Sequence, residues 1–202
     1  MSMKRSTACT GMGLVLLALA LLLCAYNLAS DKMAGDASAS ALEQLQASAE
    51  LAARDAAQNA YGESGWSIDP DRDMPTVSID GQNYIGELDI PSLSLCLPVI
   101  SEWSYGGLNV APCRYSGSAY SNTMVIAGHD YFSHFGRLSA LSPGDEVEFR
   151  DVEGNVFRYK VADLETIEPF DVEGMTTGDW DLTLFTCTVS GRARLAVRCD
   201  AA

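Results

Sequence analysis

Two runs of residues near the C-terminal end of the sequence constrain the fold most, because each has the pattern of a half-buried β-strand. The first run is residues 182–187, Leu-Thr-Leu-Phe-Thr-Cys, and the second is residues 194–199, Arg-Leu-Ala-Val-Arg-Cys. Alternating positions rich in β-branched and aromatic residues favour strands. Ser190-Gly191, between the two runs, is typical of a two-residue hairpin turn. The sequence therefore predicts an antiparallel hairpin.

A turn at Ser190-Gly191 also predicts which residues of the hairpin face each other. On one face the predicted pairs are largely apolar: Leu182 with Cys199, Leu184 with Val197, and Thr186 with Leu195. On the other face Cys187 lies directly opposite Arg194. A shift of one residue would move every side chain to the opposite face, so the apolar pairs support this register.

The predicted pair of Cys187 and Arg194 has two interpretations. Directly paired side chains have Cβ atoms about 4.5–5.5 Å apart, and a cation at that distance favours a thiolate and stabilises an oxyanion. Alternatively, Cys187 is a small buried residue and Arg194 a solvated charge at a strand edge, since free cysteines usually behave as small apolar residues.

A histidine upstream favours the functional interpretation. The apolar run of residues 123–127 indicates a buried strand, and His129 follows it at the start of a polar loop. Catalytic groups are often found at such strand ends. Asp130 either orients His129 or is solvated. His134, beside Phe135, suits a packing role better, so His129 is the predicted functional histidine.

A cysteine, a histidine and an arginine together supply a nucleophile, a general acid/base and an oxyanion donor. This set serves acyl transfer, in which a thiolate attacks a peptide carbonyl and the histidine protonates the leaving amine. The sequence has no Gly-rich phosphate loop. Its 2 histidines are too few to predict a His-based metal site, so we expect neither a metal nor another cofactor.

The N-terminal region predicts a membrane anchor. Residues 7–30 carry no charge, which is enough for a spanning helix, and Lys4 and Arg5 before them favour a cytoplasmic N-terminus. A cleaved signal peptide is the alternative. Residues 31–202 hold all 27 acidic residues, and the chain has a net charge of −14. This charge argues against nucleic acid or an anionic surface as a partner.

The chain is predicted to have three parts: residues 1–30 as cytoplasmic tail and transmembrane anchor, 31–75 as helical stalk and linker, and 76–202 as a β-domain. Short strands with little helix indicate an all-β barrel or sandwich. The predicted strands before the hairpin are residues 84–90, 93–100, 123–127, 147–150 and 156–161, with an extension to 167. Residues 101–122 are predicted to be rich in loops with short elements whose positions the sequence does not give, and residues 171–181 are predicted to be a loop.

Six cysteines are distributed along the chain: Cys9, Cys24, Cys96, Cys113, Cys187 and Cys199. The first two belong to the predicted anchor. If Cys187 is reactive, an odd number remains outside the membrane, so at least one further thiol stays free or pairs between chains. A Cys113–Cys199 bridge and a Cys96–Cys113 bridge both remain open.

Several of these motifs, taken in chain order, resemble those of sortases, the cell-wall transpeptidases of Gram-positive bacteria. Residues 183–187 resemble the family's TLxTC signature, 194–198 its strand with the catalytic arginine, 126–129 its strand end with the catalytic histidine, and 85–91 with 95–99 its first two strands. The resemblance covers about residues 75–199. It implies an eight-stranded β-barrel with short helices, preceded here by the transmembrane helix and the helical stalk.

The resemblance also implies a role for each candidate residue. Cys187 would be the nucleophile, His129 the acid/base, and Arg194 the residue that positions substrate and stabilises the oxyanion. Thr186 would be a further substrate contact. The distance in sequence from Cys187 to Arg194 is short for the family, which leaves Arg192 as the second candidate for the arginine role.

The activity implied is cleavage of an LPxTG-like sorting signal through a Cys thioester. The implied partners are surface proteins with a C-terminal sorting signal, and an amine of a cell-wall precursor or pilin as acceptor. The enzyme would be a single-pass protein of the cell membrane with an extracellular catalytic domain. Whether residues 61–75 form a lid over the site remains open.

Three other functions compete with this interpretation. A papain-like hydrolase needs its cysteine at the start of a helix and its histidine later in the chain, whereas His129 precedes Cys187 here. A cell-wall L,D-transpeptidase would have a Ser-x-Gly-Cys motif, which this sequence does not contain. The non-enzymatic alternative is a membrane-tethered extracellular β-domain that binds a partner, with Cys187 as a structural residue.

Overall fold

The structure is a computed structural model that describes residues 2–59, 68–188 and 191–202, with side chains described from residue 11 and not for 53–59. The predicted turn residue Ser190 lies outside this range, and so do residues 61–67, the first part of the segment for which a lid role was left open. The chain divides into two compact units, residues 1–33 and 34–202. The boundaries predicted at residues 30 and 75 stay predictions.

Helix α1 spans Ser2–Asn59. In the first unit, large apolar side chains such as Leu16 and Leu22 are exposed. Within the described residues, one helical segment, Gly11–Ala52, is long and apolar enough to cross a bilayer. An apolar helix of this kind fits a single-pass membrane anchor, since a span needs about 20 mainly apolar residues.

The second unit contains nine strands among the described residues. They are β1 Val77–Ile79, β2 Gln82–Ile90, β3 Leu95–Ile100, β4 Cys113–Ser116, β5 Met124–Ala127, β6 Glu146–Asp151, β7 Val156–Ile167, β8 Leu182–Cys187 and β9 Arg194–Ala201. Its short helices are α2 Tyr105–Leu108 and α3 Val172–Thr176, and 3₁₀ turns lie at Pro91–Leu93 and Leu138–Ala140. The short elements expected within residues 101–122 are α2 and β4, whereas the prediction of a loop at residues 171–181 was wrong in part, because that segment contains α3.

The strands form one sheet that closes on itself. Their order is β1-β2-β3-β4-β5-β8-β9-β7-β6, and β6 also pairs with β2. The pairs β3–β4 and β5–β8 are parallel. Strands β2 to β9 thus make the closed ring, while β1 extends it as a hairpin partner of β2. The predicted eight-stranded all-β barrel is confirmed.

The predicted register of the C-terminal hairpin is also confirmed. Cys187 pairs with Arg194, and the apolar pairs are those expected, including Leu184 with Val197. Both Leu184 and Val197 are fully buried in the main core of the barrel. The opposite face of the hairpin carries Phe185, which belongs to a second apolar cluster. The alternation in the sequence therefore separates the barrel interior from the face that holds Cys187.

The helix predicted after residue 31 is present as the later part of α1, and it packs against the barrel. Ala41 and Leu45 are buried in the same apolar cluster as Tyr84 of β2. The Gln46 amide donates a hydrogen bond of 2.7 Å to the carboxylate of Glu87. Residues that precede the barrel in sequence therefore form part of its second apolar cluster.

Candidate active site

His129 is held at the end of β5 by close packing. The amide of Gly128 donates a 3.0 Å hydrogen bond to the carbonyl of Phe185, which continues the β5–β8 pairing beyond Ala127. A Cβ atom at Gly128 would lie 2.5 Å from the ring of Phe135, so only glycine fits there. His129 follows this fixed position, in line with Cys187 on the neighbouring strand.

Cys187 lies between His129 and Arg194. It ends β8, and Arg194 begins β9 directly opposite. The Thr188 amide donates a 3.0 Å hydrogen bond to the carbonyl of Ala193, so the pairing continues past the cysteine. Adjacent strands are roughly 4.8 Å apart, so a histidine and an arginine flank the thiol at about one strand spacing on either side.

The three residues line one cleft of about 310 Å³. One wall consists of aromatic side chains from the segments around α2 and β4, namely Trp103, Tyr105 and Tyr115. The other wall comes from the segment between β7 and β8 and includes Phe170, Val172 and Met175. The cleft is therefore largely apolar at its sides and carries its reactive groups at the floor.

The electrostatic environment of His129 favours the neutral imidazole. Burial lowers the pKa of His129 below its usual 6.5, because the charged form is poorly solvated there. The carboxylate of Asp130 acts in the opposite direction and raises the pKa of His129. Histidine changes its charge near neutral pH, so a partly buried histidine beside a carboxylate can serve as a general acid/base.

The second histidine is buried in the loop after β5. His134 is fully buried, and its ring lies 5.6 Å from that of Tyr131. Tyr131 in turn lies 4.9 Å from the ring of His129. His134 thus supports the loop after His129 through an aromatic neighbour and does not line the cleft.

Arg192 and Arg194 differ in position. Arg194 is partly buried, lines the cleft, and donates a 3.3 Å hydrogen bond to the carbonyl of Ala193. Arg192 is exposed and is not among the residues that line the cleft. The geometry therefore favours Arg194 for the arginine role.

Thr186 borders the cleft, but its side chain is buried. It is 3% exposed, and its hydroxyl has no hydrogen-bond partner among the described residues. Alternation along β8 places its side chain on the interior face with Leu184, opposite to Cys187. A contact between Thr186 and a peptide would therefore involve its backbone, and its role in substrate binding stays a prediction.

The aromatic wall was missed in the sequence. Trp103 lies edge-on to Tyr115 at 5.9 Å, and Tyr115 lies edge-on to Phe185 at 5.4 Å. These rings form a continuous path from the surface to a residue near Cys187. No local sequence pattern indicates this wall, because its residues are brought together by the parallel pairs β3–β4 and β5–β8, which join segments that are apart in sequence.

Cys187 is the cysteine that lines the cleft, whereas the other cysteines of the barrel, Cys96, Cys113 and Cys199, do not line it. Cys24, Cys96, Cys113, Cys187 and Cys199 are all free, so neither disulfide considered from the sequence forms. Strands β5 and β8 separate Cys113 from Cys199, a gap of roughly 14 Å, whereas a disulfide needs about 4.4–6.8 Å between Cα atoms. Cys96 is four residues from Ile100, the partner of Cys113, or roughly 13 Å along the strand.

The described part of the chain was predicted to lack a His-based metal site. No set of three or more His, Cys, Asp or Glu side chains there is arranged to hold a metal ion.

Comparison with known proteins defines the family. The sequence model of the sortase domain matches residues 88–202, more than half of the chain. A curated relative, sortase A of Bacillus anthracis, is 27% identical over 121 residues, which are 57% of this chain and 57% of the relative. The chain belongs to the sortase family, whose members are cysteine transpeptidases.

Solved structures show the same fold. Sortase A from Corynebacterium diphtheriae superimposes with a TM-score of 0.55 at 22% identity, covering 60% of this chain and 61% of that one. The pilus-related sortase C of Group B Streptococcus gives 0.52 at 23% identity, covering 59% and 67%. The barrel is thus shared, while the alignments leave more than a third of this chain unmatched.

Proposed function

We propose that this protein is a membrane-anchored cysteine transpeptidase that cleaves an LPxTG-like sorting signal and transfers the protein to an amine. The observation that carries the proposal is the convergence of Cys187, His129 and Arg194 in one cleft. A nucleophile, an acid/base and a cation in this arrangement suit acyl transfer better than binding alone.

In the first half-reaction, the thiolate of Cys187 attacks the carbonyl carbon of the Thr–Gly bond of the signal. The guanidinium of Arg194 stabilises the oxyanion that develops. His129 as imidazolium gives a proton to the leaving amine, so the C–N bond breaks and a thioester remains on Cys187.

In the second half-reaction, an acceptor amine attacks the thioester carbon. Neutral His129 takes a proton from this amine, the C–S bond breaks, and Cys187 leaves as thiolate. The acceptors we propose are a cell-wall precursor amine or a pilin amine, and the donors are surface proteins with a C-terminal sorting signal. Burial of His129 favours the neutral form that this second half-reaction needs, and the carboxylate of Asp130 favours the imidazolium that the first half-reaction needs.

The location proposed is the cell membrane, with the N-terminus cytoplasmic and the barrel outside. The apolar helical segment Gly11–Ala52 and the basic residues Lys4 and Arg5 before it support this orientation. The acceptor amines of the cell wall would then be on the same side of the membrane as the cleft.

The test uses the full chain in detergent micelles with an LPxTG-type peptide and triglycine. Chromatography with mass detection should find the peptide cut before glycine and joined to triglycine, and Cys187→Ala should abolish the product. If a broad peptide library gives neither product nor hydrolysis, the chain is instead a tethered domain that binds a partner without catalysis.

A further inference from the structure

Arg198 lies on the same strand and the same face as Arg194, yet its surroundings are different. It is 2% exposed and pairs with Thr183 across the β8–β9 ladder. A buried guanidinium is costly unless its donors find partners. The function proposed above does not use this residue, so the hydrogen bonds that hold its buried guanidinium call for another explanation.

The guanidinium of Arg198 joins three parts of the barrel. It donates hydrogen bonds of 3.0 Å to the Thr183 hydroxyl and 3.2 Å to the carbonyl of Met175. It also donates to the carbonyl of Gly174 and forms an ion pair with Glu165 of β7. Both carbonyls belong to α3, so Arg198 connects this helix to β7 and β8.

Helix α3 depends on such contacts. It has five residues, Val172–Thr176, which is too short for a stable helix on its own. Asp171 caps its start by accepting a 2.8 Å hydrogen bond from the Gly174 amide. Arg198 binds carbonyls of its later part, where a cation is also favoured by the helix dipole. The helix is thus fixed at both ends.

The same helix forms one wall of the cleft. Val172 and Met175 both line the cleft that contains Cys187. Met175 is 5% exposed and packs in the second apolar cluster, while Val172 is about half exposed. A shift of α3 would therefore move the apolar wall without moving the β8–β9 ladder that holds Cys187 and Arg194.

We propose that Arg198 is a positioning residue that fixes α3 as the wall against which an aliphatic side chain of the peptide binds. This proposal rests on the proposed transpeptidase function. We call the hydrogen bonds from Arg198 to the carbonyls of α3 the clamp. Its loss should weaken peptide binding and leave the chemistry at Cys187 largely intact, because Arg198 does not line the cleft.

The experiment compares Arg198→Met and Arg198→Lys with the wild type, each as full chain in detergent micelles. Hydrogen exchange measured by mass spectrometry follows the amides of residues 174–177, three of which are hydrogen-bonded in and next to α3. Steady-state kinetics with an LPxTG-type peptide give KM and kcat. Arg158→Met is the matched control, since Arg158 also pairs with a carboxylate but its side chain is 68% exposed.

In Arg198→Met we expect faster exchange at residues 174–177 and a KM higher by about tenfold or more, with kcat changed by less than about threefold. Arg198→Lys should show smaller changes in exchange and KM than Arg198→Met, because lysine keeps the positive charge but lacks the forked donors of the guanidinium. A peptide with Leu replaced by Ala should lose less affinity in the variant than in the wild type. Arg158→Met should change none of these quantities.

Unchanged hydrogen exchange in Arg198→Met would show that Arg198 does not hold α3 in place. Faster exchange with an unchanged KM would show that the position of α3 does not affect peptide binding. If Arg198→Met does not fold, Arg198→Lys decides by the same measurements, because it keeps a positive charge beside Glu165 but lacks the forked donors that bind the two carbonyls of α3. If the wild type makes no product, the proposed function fails, whereas the exchange data still decide whether Arg198 holds α3.

Discussion

The two ends of the β8–β9 hairpin carry similar residues in different environments. At one end Cys187 faces Arg194 in an open cleft, beside His129. At the other end Cys199 is fully buried opposite Leu182, and burial raises the pKa of its thiol to about 12. Residue type therefore does not decide function in this hairpin, whereas the face of the strand and access to the cleft do.

The largest expected effect separates the two cysteines. Cys187→Ala should lower transpeptidation by more than about 10⁴-fold, because it removes the nucleophile. Cys199→Ala should keep most of the activity and reduce the free energy of unfolding by on the order of 1 kcal/mol through a small cavity. Peptide transfer assays and urea unfolding measure the two quantities. A strong loss of activity in well-folded Cys199→Ala would contradict the comparison.

The next effect separates two arginines near the open end. Arg194→Ala should lower kcat by about 10²–10³-fold, as expected for the loss of an oxyanion donor. Arg192→Ala should stay close to the wild type, because Arg192 is exposed and does not line the cleft. Steady-state kinetics on both variants test this. The reverse result would show that Arg192 supplies the cation.

Alkylation rates extend the comparison from two cysteines to the four described cysteines of the barrel. At pH 8 iodoacetamide should modify Cys187 in the folded chain well before the thiols of Cys96, Cys113 and Cys199. Burial raises the pKa of these three to about 12, 11 and 12, so their thiolate fractions are only about 10⁻³ to 10⁻⁴. Peptide mapping over time gives the order of modification, and denaturant should remove the difference. Equal rates in the folded chain would contradict this account.

The smallest expected effect concerns His129. Asp130→Asn should lower the pKa of His129 further, because the carboxylate favours the imidazolium and burial opposes it. The pH range in which the imidazolium can protonate a leaving amine then moves downward. NMR titration of the His129 ring measures the shift, with the fully buried His134 as internal reference. A pKa that rises in this variant would show that Asp130 does not act through its charge.

The open end of the hairpin was predictable because the sequence patterns that determine it lie within a few residues of one another. Alternation and the Ser190-Gly191 signal gave the register of Cys187 and Arg194, and the end of an apolar run gave His129. The resemblance to sortases added the closed barrel, which the β2–β6 pairing completes.

The walls of the cleft were not predictable in the same way. Helix α3 is too short to give a helical period, and its position depends on Arg198, which follows it in sequence by more than twenty residues. The aromatic path from Trp103 to Phe185 depends on parallel pairing between distant strands. Local patterns therefore predicted the reactive groups, whereas tertiary contacts determine what surrounds them.

The most direct test of the central claim is detection of an acyl-enzyme. The full chain in micelles is mixed with an LPxTG-type peptide without an added amine, quenched in acid, and analysed by intact mass and peptide mapping. We predict one adduct, equal to the peptide up to its threonine, on Cys187 and removable by hydroxylamine. An adduct that persists in Cys187→Ala, or no adduct with peptides that the wild type cleaves, would contradict the account.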